Sequence, residues 1–202
     1  MPNRSLLDLL LELQRLDRVP RSGYTLRGIA EPESVSEHSF HLVFLVWTLA
    51  FESPEIDRAR AVEIALVHDL AEVRTGDLPA TAARYLPAGA KDAAEMAAAE
   101  ELLAPLGERA LALFAEYQAG ESPEARFVAA CDKLQILIKA EVYEGWGAAG
   151  LGEFWRGFAS DGEARRGDRL DDFPDGGFTA IRRLVGELRE RRHPRPDWGD
   201  TE

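Results

Sequence analysis

Apolar residues recur at three- and four-residue spacings along almost the whole chain, and no two-residue alternation persists for the length of a strand. Leu6, Leu9, Leu10, Leu13 and Leu16 trace the buried side of a first helix, which Ser5 caps. Pro20, Gly23, Gly28 and Pro32 make Arg18 to Pro32 a loop. Ser34-Val35-Ser36-Glu37 opens a helix to about Phe51, with Leu42, Leu45, Val46 and Leu49 facing inward. The next helix is predicted from Ser53-Pro54-Glu55 through Glu72, with Ile56 at its edge. Thr75-Gly76-Asp77-Leu78-Pro79 must end it, because glycine and proline both disfavour helix continuation.

Residues 90–104 are rich in alanine and glutamate and read as a helix, as do residues 106–119. Ser122-Pro123-Glu124 starts a long one through Tyr143. Gly147 to Asp175 is glycine-rich, with one short helix around Phe154, and Phe178 to Arg191 is a last amphipathic helix. The fold class expected is all-α, a helical bundle in a single domain spanning residues 1–192 with its core at about 34–145. Residues 193–202 read as a flexible tail.

Composition narrows the partners. A chain of 202 residues can bury one good core, which suits that single domain. A net charge of −12 argues against a nucleic-acid polymer, whose binders carry a basic footprint. No apolar run approaches the roughly 20 residues of a membrane span. The lone Cys131 cannot form an intramolecular disulfide, and Met1-Pro2-Asn3-Arg4-Ser5 leads into the first helix without a signal-peptide core. A cytoplasmic location is therefore expected. Arg15, Arg18, Arg21 and Arg27 concentrate in one stretch before His38. They suit either a solvated helix end and loop or a small phosphorylated substrate.

Four residues carry the candidate chemistry: His38, the adjacent pair His68-Asp69, and Asp132. Imidazoles and carboxylates are ligands for hard-to-borderline divalent cations, and here they fall on three separate helical stretches. The pair sits in Ala65-Leu66-Val67-His68-Asp69-Leu70-Ala71-Glu72, an apolar run with no other evident use for three polar groups. On a helix the two side chains point about 100° apart, so an ion must sit over the groove between them. Glu72 follows His68 by four residues and Asp69 by three, and shares that face. Singly, each residue has a plain reading: a histidine satisfied in a core, or Asp132 paired with Lys133. Together they place costly carboxylates on helices that otherwise read as buried. Four ligands leave positions for water and substrate.

Three segments in this order carry a resemblance: Arg18-Val19-Pro20-Arg21-Ser22-Gly23-Tyr24, Glu33-Ser34-Val35-Ser36-Glu37-His38, and Val67-His68-Asp69-Leu70-Ala71-Glu72 continuing to Thr75-Gly76-Asp77-Leu78-Pro79. From about residue 5 to 145 the chain resembles the HD-domain superfamily of metal-dependent phosphohydrolases, and within it the YfbR-like 5′-deoxynucleotidases, including the HD domain-containing nucleotidases of eukaryotes. The resemblance implies that His38, His68, Asp69 and Asp132 bind the metal and that Glu72 orients or activates the attacking water. It places Asp77 near the sugar and leaving oxygen, with Leu78, Pro79 and Ala80 at substrate-contact positions. Ala80 stands where the bacterial branch commonly has threonine. Arg21 best matches the arginine that orients the 5′-phosphate, a role that Arg18 or Arg27 could share. Ser22 replaces the aromatic that follows it in the bacterial branch, and Tyr24 comes two residues later. A homodimer is also implied.

The chain's histidines are His38, His41, His68 and His193 only, so the additional ligands of two-metal relatives are absent and one divalent ion is expected. Mn, Co, Mg, Fe and Zn all fit a thiolate-free donor set. Glu72 is followed by Val73, which removes the glutamate-aspartate pair of the alarmone hydrolases. His41 reads as a second-tier or surface residue, His193 as part of the tail, and the acidic run from Asp161 to Asp172 as a solvated loop. Trp146 and Trp155 read as packing or dimer contacts, and Arg189, Arg191, Arg192 and Arg195 as complements to a helix C-terminal dipole. The function expected is hydrolysis of (deoxy)nucleoside 5′-monophosphates to nucleoside and phosphate. Its alternatives are hydrolysis of another nucleotide phosphoester, or a non-catalytic metal- or nucleotide-binding module.

Overall fold

Serine caps fix where the first helices begin. Ser34 Oγ accepts from the Glu37 amide at 3.2 Å while the Glu37 carboxylate accepts from the Ser34 amide at 2.7 Å, a reciprocal box that satisfies two otherwise orphaned donors. Ser5 and Asp8 do the same for α1 (Leu6–Leu13), which continues as a 3-10 turn over Gln14–Arg18. The computed structural model describes residues 5–156 and 178–192. The Asp161–Asp172 run, His193, Arg195 and the tail lie outside them.

The described elements after α1 are α2 (Ser22–Thr25), α3 (Val35–Leu49), α4 (Arg58–Val67), α5 (Glu72–Thr75), α6 (Ala80–Ala83), α7 (Ala90–Leu103), α8 (Glu108–Ala119), α9 (Pro123–Gly145), α10 (Gly152–Arg156) and α11 (Thr179–Arg191). No strand occurs among the described residues. One antiparallel bridge joins Pro20 to Ser34, where the Arg21 amide donates to Glu33 O at 2.9 Å and the Val35 amide to Val19 O at 2.8 Å. That clasp holds the segment before α2 against the start of α3.

Helices α3, α4 and α9 pack on one another at the centre; α8 covers α4, α7 lies on α8, and α11 lies on α9. Leu42 and Val46 of α3, Ile64 of α4, and Phe127, Leu134 and Leu137 of α9 are fully buried. Each such side chain contributes about 1.5–3 kcal/mol. Ala61, Ala65, Ala130 and Ala140, also inaccessible, leave room for the three helices to approach.

Several expectations are corrected. Leu9 and Leu16 are buried, but Leu6 and Leu10 are half exposed, because no neighbouring helix covers that side of α1 among the described residues. Within the loop expected from Arg18 to Pro32, α2 makes one turn that buries Tyr24, whose hydroxyl donates to Ile136 O at 2.8 Å. Helix α4 begins at Arg58 and not near Pro54, since Asp57 is the residue whose carboxylate accepts from the Arg60 amide, at 3.1 Å. The helix around Phe154 is present as α10, with Trp155 buried and Trp146 exposed.

Candidate active site

The apolar run of α4 predicts a helix continuing through Glu72, yet α4 stops at Val67 and residues 68–71 form a turn. The cause is local. His68 Nδ1 lies 2.8 Å from Ala65 O, the carbonyl that the Asp69 amide would take in a continuous α-helix. The following amides of Leu70, Glu72, Val73 and Arg74 bond three residues back. This tighter winding replaces the expected groove geometry and turns His68, Asp69 and Glu72 toward one point.

His38, on the inward face of α3, meets them there. Its Nδ1 is 2.8 Å from Gln135 Oε1, so both histidines have Nδ1 engaged by an oxygen acceptor and direct Nε2 into the site. The two Nε2 atoms are 3.3 Å apart. Asp69 Oδ2 lies 3.0 Å from His68 Nε2 and 3.7 Å from His38 Nε2. His38, His68 and Asp69 thus offer three ligand atoms within 4.8 Å of one another. Asp132, on α9, brings Oδ1 to 3.2 Å from His38 Nε2. Two facing lone pairs beside two carboxylates repel unless a positive charge lies among them. Asp132 Oδ1 and Glu72 Oε2 are also buried without a hydrogen-bond partner. His38, His68 and Asp69 fit a divalent cation on donor type and spacing, and Asp132 adjoins them through His38 with an oxygen still unsatisfied.

Charge sets the protonation of the cluster. Burial pushes the Asp69 carboxyl up, but His68, Arg21 and His38 outweigh it and hold Asp69 well below its ordinary value. Asp132 is likewise held low, burial being offset by His38 and Arg21. Burial lowers His68, yet Asp69 and Asp132 leave it raised, so a proton competes with any cation for the same nitrogen. Glu72 goes the other way: burial first, then repulsion from Asp69 and Asp77, push it up to about 10.

Arg21 forms the opposite wall. Its Nη1 lies 3.3 Å from Asp69 Oδ2 and 3.5 Å from Asp77 Oδ1, and its Nη2 3.9 Å from Asp132 Oδ1. Although burial lowers the guanidinium pKa, Asp69, Asp77, Asp132 and Glu72 raise it above its ordinary value, so the charge is fixed. Arg27 turns away, donating to Gly23 O at 2.8 Å, pairing with Glu153 and lying over Phe154; Arg18 is solvent-exposed. Of the three arginines only Arg21 faces the cluster. Asp77 Oδ2 accepts from the Ser22 amide at 2.6 Å and its backbone oxygen from Ser22 Oγ at 2.7 Å, which ties the 76–79 loop to Arg21. Gly76 turns that loop with φ +71°, a conformation glycine adopts without cost. Leu78 and Pro79 follow half buried, and Ala80 starts α6.

Three contributors escaped the sequence pattern. Gln135, one helical step from Asp132 on α9, was detectable only as that i,i+3 spacing. Tyr117 of α8 sets its ring edge-on to His68 at 5.4 Å. Lys91 of α7 pairs with Glu95 at 3.3 Å; burial lowers its pKa, while Glu95, Glu72 and Asp69 leave it raised, so a second cation stands on the Glu72 side. Neither Tyr117 nor Lys91 has a sequence signal. His41 is largely exposed, 3.8 Å from Glu33.

Comparison with known proteins finds similarity along most of the chain. The HD domain family matches residues 13–163. The 5′-deoxynucleotidase HDDC2 of Homo sapiens is 33% identical over 198 residues, covering 94% of this chain and 87% of that protein. The 5′-deoxynucleotidase hdd1 of Schizosaccharomyces pombe is 33% identical over 138 residues, covering 65% of this chain and 69% of that protein. A solved structure of a conserved hypothetical protein from Pyrococcus furiosus superposes with a TM-score of 0.76 at 34% identity, covering 91% of this chain and 99% of that one.

Proposed function

The chain belongs to the HD domain family, and on that premise we propose that it is a divalent-metal-dependent hydrolase of deoxynucleoside 5′-monophosphates, releasing nucleoside and inorganic phosphate. The observation that carries this reading is the meeting of two buried histidine Nε2 atoms and Asp69 with the fixed charge of Arg21. His38, His68, Asp69 and Asp132 hold one ion, of Mn, Co, Mg, Fe or Zn. When bound, it supplies charge neutralisation at the phosphoryl group and a more acidic water.

The chain's own residues supply the rest. Arg21 grips the phosphate through two parallel N–H donors, which a lysine cannot match. Glu72, with one oxygen unpartnered, takes the proton of the attacking water. Positive charge beside Asp69 offsets the repulsion that raises Glu72, bringing its pKa toward the working range. Asp77, steadied by Ser22, faces the sugar and the departing oxygen, and Leu78, Pro79 and Ala80 border the nucleoside. A Glu72 kept deep beside Asp69 weighs against a module that binds metal without turnover.

The protein acts as a cytoplasmic homodimer in this reading. No helix among the described residues is long and apolar enough to cross a membrane. Phe40, Phe44 and Trp47, spaced along one side of α3, and Phe51 just past its end, all 46–68% exposed, offer an apolar stripe suited to a second copy. Sedimentation measures that assembly directly. A phosphate-release screen crossing deoxynucleoside monophosphates with the five metals tests the activity. Release from none of them by pure, metal-loaded protein defeats the proposal.

A further inference from the structure

His38 and His68 present the same atom to the site but are anchored differently. His68 rests on a backbone carbonyl, which can only accept, so its Nδ1 must carry the proton. His38 rests on the amide of Gln135, which has a donor end and an acceptor end and by itself dictates neither tautomer. The choice is made one step further out. Gln135 Nε2 lies 3.1 and 3.3 Å from the two oxygens of the buried Glu33 carboxylate, whose Oε2 is 3.2 Å from Lys139 Nζ. A carboxylate facing an ammonium accepts and does not donate. The amide nitrogen of Gln135 must therefore turn to Glu33, its oxygen to His38, and the proton must sit on His38 Nδ1.

We propose that Glu33, Gln135 and Lys139 form a directional hydrogen-bond relay that fixes His38 as its Nδ1–H tautomer and so keeps Nε2 available to the divalent ion. None of the three reaches the reacting atoms; they are positioning residues. Glu33 is itself held in place, its amide donating to Tyr143 Oη at 2.7 Å and its carbonyl accepting from Arg21. The relay spans the residue before the Ser34 cap of α3 and about one turn of α9, so the tautomer depends on how α3 and α9 pack. The inference rests on the proposed metal site for its purpose, but the tautomer itself does not.

The test uses the full chain, with 15N-labelled histidine, and reads the His38 ring by long-range 15N–1H NMR correlations in metal-free protein, with the pH raised until the neutral ring is observed, alongside Mn²⁺ affinity by chelator competition. Wild type shows a single Nδ1–H form. Glu33→Gln changes no shape, but its amide can donate as well as accept, so Gln135 can flip; a mixture of His38 tautomers appears, while His68 is unchanged. Gln135→Leu removes the relay and lowers Mn²⁺ affinity about 10–100-fold, the usual cost of losing an outer partner of a ligand, and Glu33→Gln lowers it by less, about 3–10-fold. A pure Nδ1–H His38 in Glu33→Gln, with wild-type Mn²⁺ affinity, overturns the proposal even where Gln135→Leu unfolds. Wild-type protein that shows the single tautomer but binds none of Mn²⁺, Co²⁺, Mg²⁺, Fe²⁺ and Zn²⁺ defeats the metal-site reading instead and leaves the relay standing.

Discussion

The two walls of the site are built by different means. The histidine wall is part of the core: His38 and His68 are 0% and 4% exposed, flanked by Leu42 and Ala65, and held by acceptors that the central helices carry. The arginine wall is made of two loop segments, with Arg21 and Asp77 side chains each 12% exposed and joined by Ser22. A wall built into the core resists displacement, because moving a ligand means repacking three helices. A wall made of polar contacts between loops can adjust to what it grips. In the proposed reading the ion belongs to the rigid side and substrate recognition to the adaptable one.

Breaking the contrast should be easiest at Asp69, whose Oδ2 lies within 3.3 Å of both walls, 3.0 Å from His68 Nε2 and 3.3 Å from Arg21 Nη1. Asp69→Ala is expected to abolish Mn²⁺ binding and reduce phosphate release to background, as measured by titration and a phosphate assay. Next in size, Glu72→Gln should cost about 10²–10⁴-fold in kcat, the usual yield of a positioned general base, while metal affinity survives. The same variant sharpens the electrostatic picture. Glu72 in the folded, metal-free protein holds its proton up to about 10, whereas the unfolded chain releases it at an ordinary carboxyl value. Between those values the unfolded state binds fewer protons, so metal-free wild type loses stability as pH rises. Glu72→Gln should flatten that slope and raise Tm at pH 8 above wild type.

Smaller effects belong to the arginine wall. Arg21→Lys keeps the charge but loses the paired donors, and kcat/KM should fall about 10–100-fold, equivalent to one or two charge-assisted hydrogen bonds. Metal affinity should change little, which separates the two walls in one variant. Ser22→Ala removes the Oγ bonds to Asp77 and leaves the 2.6 Å amide bond in place. KM should rise by about fivefold, as expected for roughly 1 kcal/mol, with kcat nearly unaffected.

Helix periodicity and the unusual polar triplet in an apolar run made the α3, α4 and α9 scaffold and its donor residues legible in the sequence. Serine caps at Ser5, Ser34 and Ser122 located three helix starts closely. The break after Val67 was not legible, since the apolar spacing continues through it and the competition of His68 for Ala65 O leaves no periodic trace. Gln135 and Glu33 were hidden for another reason: they lie 102 residues apart, and their pairing exists only once α3 and α9 are packed. The exposure of Leu6 and Leu10 shows the remaining gap, because a sequence announces an apolar face without saying what covers it.

The turn at residues 68–71 also acts as a ruler. Each residue added to or taken from a helical path rotates every downstream side chain by about 100°. A single deletion between Asp69 and Glu72 would leave every donor in the sequence and still swing Glu72 off the cluster. Exposed loops absorb such changes of length with little penalty. Here the count of residues is as much a part of the catalyst as their identity.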